Sequence, residues 1–177
     1  MEKIRTVIVK NMIQGNVSIK RPEFGLNKVW SGFGQAMKIP FESLEQGLWD
    51  PAIRNMFTAG ILYIENLQDK IDLGLEPENV DEPVNIVLLD EKKMETLLKT
   101  TPFTVFKTEV SQLTKIQVDS LIQYAIDNKI LDSEKCSWLK ELTGKDILKS
   151  ISQYEDMIIA EKKAKEKEKL RQAEGRH

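Results

Sequence analysis

The chain has a single cysteine, Cys136, in 177 residues. No intrachain disulfide can form, so packing alone must hold the fold, which suits a reducing compartment or an assembly without disulfides. It also has a single histidine, His177, the last residue. That leaves no Ser-His triad, His proton relay or His metal cluster unless the tail folds back. Cys136 falls on the inward side of a helical pattern, with no Cys or His partner at metal-binding spacing, and reads as an inert buried thiol. No apolar run approaches the ~20 residues of a membrane-spanning helix. The first ten residues, MEKIRTVIVK, carry internal charges and too short an apolar run to read as a signal peptide. Residues 30–34 contain G-x-G but lack a third glycine in a strand–turn–helix frame, and G-x-x-x-x-G-K-[ST] does not occur, so no phosphate loop is expected. Neither a cofactor nor a metal is expected, nor an enzyme activity.

What is present is the composition of a soluble globular protein, 41% apolar and 31% charged, long enough for one large or two small domains. The net charge of −2 hides an asymmetry: residues 161–177 carry seven basic against four acidic side chains, leaving the remaining body at −5. An acidic body repels nucleic acid, so polyanion binding would have to use the tail. Glycine marks a second asymmetry, because after Gly74 only Gly144 and Gly175 remain.

The clearest local structure spans residues 41–64. Phe41, Leu44 and Leu48 suggest a short helical turn, loosened by Gly47. Asp50 can cap a following helix with Pro51 at its first position; Ile53, Met56 and Phe57 form its stripe, and Gly60 ends it. Residues 61–64 then read as a buried strand. The stretch reads as the joint between a β-rich part and a helical part. Before it, residues 4–10 and 17–19 suggest a hairpin around Gly15. Residues 21–34 read as a loop that also holds Phe24, Leu26, Val29, Trp30 and Phe33. Its rings either cover the local sheet or dock on another subunit, since aromatic residues are favoured interface anchors. Residues 35–40 read as a short strand. Glu42, Glu45 and Asp50 near Trp49 read as a solvated helix face rather than an acid–base site.

Asn66 caps a further short helix that Gly74 ends. The acidic, proline-containing segment 75–85 reads as a domain boundary, and the apolar run 84–89 can return to the first sheet. The rest reads as helices: one capped by Asp90; one carrying Phe103, Phe106 and Val110; one opened by a Thr114–Gln117 capping box; one capped by Asp132 or Ser133; and a last one carrying Ile147, Leu148, Ile151, Tyr154 and Ile158. Each has one apolar side, so they are expected to pack as a small bundle. A helix-turn-helix reading is disfavoured, because the candidate recognition helix, 116–128, carries Asp119 and Asp127 with very few basic residues. Residues 161–177 form a projecting helix or stay disordered. The expected class is therefore α+β: a β-rich assembly domain over 1–89, a helical domain over 90–160, and a charged tail over 161–177.

The order VIVKN, NVSI, KIPFESLEQGLW, DPAIRNMFTAGILYI, followed by LLKTTPFTVFK, LIQYAIDN and LTGKDILKSI, resembles structural proteins of tailed-bacteriophage virions. The resemblance covers most of the chain and rests on the order of elements and short phrases, without a site motif. It implies a non-enzymatic head-decoration, vertex, neck or tail component whose partners are other virion proteins in a homo- or hetero-oligomeric assembly. The location it implies is the virion; the cytoplasm is the expectation otherwise. Phe24, Trp30, Phe33 and Trp49 are the candidate interface residues. The rival reading is a cytoplasmic adaptor or regulator that contacts nucleic acid through its basic tail.

Overall fold

Val7, Val9 and Asn11 alternate with Thr6, Ile8 and Lys10, and a period of two sends the first set to one face of a strand. In the computed structural model, which describes residues 4–174, this strand, β1 (Thr6–Asn11), is central in a three-stranded sheet. It pairs antiparallel with β4 (Ala36–Pro40) on one side and β5 (Leu62–Ile64) on the other, with Val9 opposite both Met37 and Ile64. The expected hairpin between residues 4–10 and 17–19 is not made. Instead β2 (Asn16–Arg21) pairs antiparallel with β3 (Leu26–Ser31) in a separate two-stranded sheet.

Asn11 is the physical reason. Its side chain is fully buried and accepts from the Ile13 N–H at 3.0 Å, a local turn that ends β1. Its amide nitrogen donates at 2.9 Å to the carbonyls of both Gly15 and Gly32. The chain is thus drawn from β1 toward the end of β3, not back along β1. The supposed loop 21–34 accordingly holds β3, entered by a 3-10 turn at Pro22–Phe24. Val7, Val9, Ile39 and Ile64 from one sheet share a core with Val17, Ile19, Leu26 and Trp30 from the other.

Helix α1 (Phe41–Gly47) packs on this core through Leu44. Gly47 is there for space: a Cβ would lie 2.5 Å from Leu26 Cδ1. Helix α2 (Pro51–Thr58) contributes Ile53 and Phe57, and β5 then returns to the sheet. Residues 41–64 therefore lie within one unit, built into the same core as the strands, rather than at a joint between domains.

The chain divides into two compact units, Met1–Leu121 and Ile122–His177. The division falls inside a helix, not after Leu89. The first unit continues through α3 (Leu67–Asp72), α4 (Glu91–Lys99), α5 (Phe103–Ser111) and the start of α6 (Lys115–Asp127). The run 84–89 adds no strand to the sheet. The Val84 and Asn85 N–H groups donate to the Glu76 carboxylate at 3.1 and 3.2 Å, and Leu89 is buried without strand pairing. The capping box at Thr114 holds this unit together. Thr114 N donates to Gln117 Oε1 at 3.1 Å, and Gln117 N donates to Thr114 Oγ1 at 3.2 Å. The same two side chains reach outward, Thr114 Oγ1 to the Ala59 carbonyl at 2.7 Å and Gln117 Nε2 to the Val87 carbonyl at 2.7 Å. A capping signature local in sequence thus carries two tertiary bonds, which pull the start of α6 into the first unit.

The second unit holds the end of α6, then α7 (Ser133–Thr143) and α8 (Ile147–Glu174). Asp132 caps α7 by accepting from Lys135 N, and Gly144 ends it in the left-handed conformation. Cys136, Leu139, Ile147 and Ile151 are its buried apolar residues on α7 and α8. At 28 residues α8 is far longer than the 11-residue α7. From Ser152 to Ala173 every residue but Ile158 is exposed. The basic segment from Glu161 continues this helix as far as Glu174.

Candidate protein-docking site

The corner between α1 and α2 is pinned on both sides of one aromatic ring. Leu48 is buried and its N–H donates to the Leu44 carbonyl at 2.9 Å, completing α1. Trp49 N donates to Gln46 O at 3.2 Å and Asp50 N to Gly47 O at 3.0 Å. Asp50 then opens α2, accepting from Ala52 N at 2.8 Å, and its other carboxylate oxygen accepts from Arg21 Nε at 2.9 Å. The bond from Arg21, followed by that from Ala52 N–H, holds the Asp50 carboxyl below its ordinary pKa. Arg54 Nε adds a bond to the Leu48 carbonyl at 3.1 Å. Between these fixed neighbours Trp49 is 85% exposed. A large ring on a pinned backbone loses little conformational freedom on binding, which is what an interface anchor requires.

The other three candidate residues are placed differently. Trp30 is fully buried, and its indole N–H donates to the Val9 carbonyl at 2.9 Å. It is a core residue tying β3 to β1, and its assignment as an interface residue is corrected. Phe24 is half-buried against the same core. Phe33 is half-buried in the β3–β4 connection. The ring reading that had them cover the local sheet therefore holds for Trp30 and Phe24. Glu42 and Glu45 are exposed on α1, while Asp50 is engaged by Arg21 and the α2 backbone.

The sequence reading missed two exposed apolar residues on the strands, Ile8 at 49% and Val29 at 43%. Alternation in β1 signals which face each side chain takes, but not whether an outer face is covered. It also missed a cavity of about 370 Å³ lined in part by Phe57, Leu62, Tyr63, Leu75 and Ile86. At its wall is a buried ion pair, with Lys70 Nζ 2.9 Å from Glu76 Oε1 and 4.6 Å from the Tyr63 ring centroid. The Lys70–Glu76 contact is an ion pair without the alignment of a hydrogen bond. Burial pushes the Glu76 carboxyl up, but the Lys70 ammonium and the Val84 and Asn85 N–H groups prevail and hold it below its ordinary pKa. Burial, with the charges of Glu76 and Glu65, raises the pKa of Tyr63. The pair acts as a clip: Glu76 collects the backbone of 84–85 while Lys70 supplies the countercharge.

Cys136 is buried, its Sγ 3.7 Å from the Ile130 carbonyl, and burial pushes its thiol pKa up. His177 lies outside the described residues. Among the described residues, no group of three or more His, Cys, Asp or Glu side chains could hold a metal ion, and no helix is long and apolar enough to cross a membrane. In comparisons with known proteins, no family model, no curated protein and no solved structure matches this chain.

Proposed function

We propose that this chain is a non-enzymatic structural protein of a phage-like virion that docks on neighbouring virion proteins through its first unit. The observation that carries the docking reading is Trp49, an exposed ring on a corner pinned by Asp50, Arg21 and Arg54. Single exposed apolar residues are ordinary on protein surfaces, so the support lies in the residue type and its setting: tryptophan is favoured as an interface anchor, and this one stands on a pinned backbone. The virion setting rests on the resemblance in the order of elements and short phrases, which the comparisons leave without a match.

The test is mass spectrometry of gradient-purified particles from cells producing the chain or its Trp49→Ala variant. The expected result is the chain at fixed stoichiometry with the major particle proteins, and a loss of at least about tenfold for the variant, the scale of an interface hot spot. Absence of the unmodified chain from particles overturns the virion reading. Full incorporation of the variant overturns the role of Trp49. The rival reading, nucleic-acid contact through the basic end of α8, predicts salt-sensitive DNA or RNA retention that is lost on truncation at Ala160.

A further inference from the structure

On α8 three apolar side chains recur eleven residues apart: Leu148, Ile159 and Leu170. Eleven residues are just over three helical turns, so the three fall close to one line of the helix. All three are exposed, at 37, 51 and 63%. Ile147 and Ile151, which are buried, lie on a different side of the helix, so this line is not an extension of the packed stripe. The charges beside it are ordered about its midpoint. Glu155 stands four residues before Ile159 and Lys163 four residues after it.

This pattern is self-complementary under a two-fold rotation at Ile159. An antiparallel second copy sets Ile159 against itself, Leu148 against Leu170 of the other chain, and Glu155 against the other chain's Lys163. A parallel copy would instead oppose Glu155 to Glu155 and Lys163 to Lys163, and like charges across a helix pair repel. An isologous two-fold contact is also the commonest way for identical chains to associate. We infer that the exposed Leu148–Ile159–Leu170 face of α8 pairs antiparallel with the same face of a second copy of this chain. Forming the dimer exchanges one intramolecular contact, because Glu155 Oε1 accepts from Lys129 Nζ at 3.0 Å within the chain. That ion pair is half-exposed on both sides and is therefore weak.

The inference is independent of Trp49, which lies in the first unit, so the two can fail separately. It is tested on the full purified chain by sedimentation over a concentration series. The expected result is a mass that rises toward twice that of the monomer. Glu155→Lys sets like charges against each other twice per dimer and is expected to weaken association by about tenfold. Glu155→Lys combined with Lys163→Glu restores the complementarity and is expected to restore association, although the Lys129 contact stays broken. Orientation is read by mixing two single variants, Leu148→Cys and Leu170→Cys, under oxidation, with Cys136 protected by burial. Disulfide formation between the two different variants is expected. A chain that stays monomeric, a double reversal that does not rescue, or cross-linking only between identical variants each overturns the inference.

Discussion

Replacing Glu76 by Gln removes one charge from a buried pair and leaves nearly every atom in place. In the native chain the Lys70 and Glu76 side chains are 5% and 0% exposed, with 2.9 Å between Nζ and Oε1. Removing one partner of a buried pair costs about 3–5 kcal/mol, because the remaining charge keeps its desolvation penalty and loses its compensation. That loss is a large part of the ~5–15 kcal/mol that stabilises a typical domain. Urea unfolding followed by tryptophan emission measures it, with Lys70→Met and the double variant completing a mutant cycle. Acid titration gives a second readout. The folded Glu76 pKa lies below the ordinary 4.5, so the folded state binds fewer protons and the carboxylate stabilises the fold. That contribution is whole above the ordinary value and is lost as pH falls through the folded one. The difference in stability between native chain and Glu76→Gln should therefore shrink as pH falls below the ordinary value and through the lower, folded one. A loss under about 1 kcal/mol at neutral pH, far below the range for breaking a buried pair, would refute the account of this pair.

Gly47→Ala should destabilise by about 1–2 kcal/mol, although alanine is the better helix former by about 1 kcal/mol, because the new Cβ meets the fully buried Leu26 side chain. A thermal melt checks the sign, and a raised melting temperature would show that Leu26 can yield. Trp30→Ala should cost about 3–5 kcal/mol and Trp49→Ala under about 0.5 kcal/mol, following a buried and an exposed ring; equal losses in urea unfolding would contradict these placements. Gln117→Ala removes the reciprocal cap and the bond to the Val87 carbonyl, so about 1–2 kcal/mol of stability is expected to go. Hydrogen exchange should then quicken at residues 84–89 and the first turn of α6, and unchanged exchange there would mean that the bond does not hold the segment.

Local chemistry was the legible part. Asp50, Asn66, Asp90 and Asp132 cap the helices they announce, and Gly60, Gly74 and Gly144 all take positive φ near helix ends. These signals act within one helical turn, so neighbouring residues suffice to read them. Strand pairing was misread because it is a contact at a distance. Nothing near Val17 says that its partner is Trp30 rather than a residue of β1, and β3 was hidden by the glycines around it and by Lys28 between Leu26 and Trp30. Of the candidate site, the sequence named Trp49 together with Phe24, Trp30 and Phe33 as rings that could dock. It could not separate Trp49 from Trp30, because composition does not say which ring a second sheet will cover.

By itself, then, the sequence determined the α+β class, the helix caps at Asp50, Asn66, Asp90 and Asp132, the absence of an intrachain disulfide and the basic charge of the C-terminal segment, all properties of residue type and short-range spacing. Only the tertiary structure decided that β1 is central between β4 and β5, that residues 41–64 belong to one core, and that the units divide within α6. Those outcomes depend on groups far apart in the chain. Asn11 must find Gly32, Glu76 must find Lys70 and the 84–85 backbone, and Thr114 and Gln117 must find Ala59 and Val87. A buried polar group must be paired wherever its partner lies, and that requirement, rather than any local propensity, selects this arrangement.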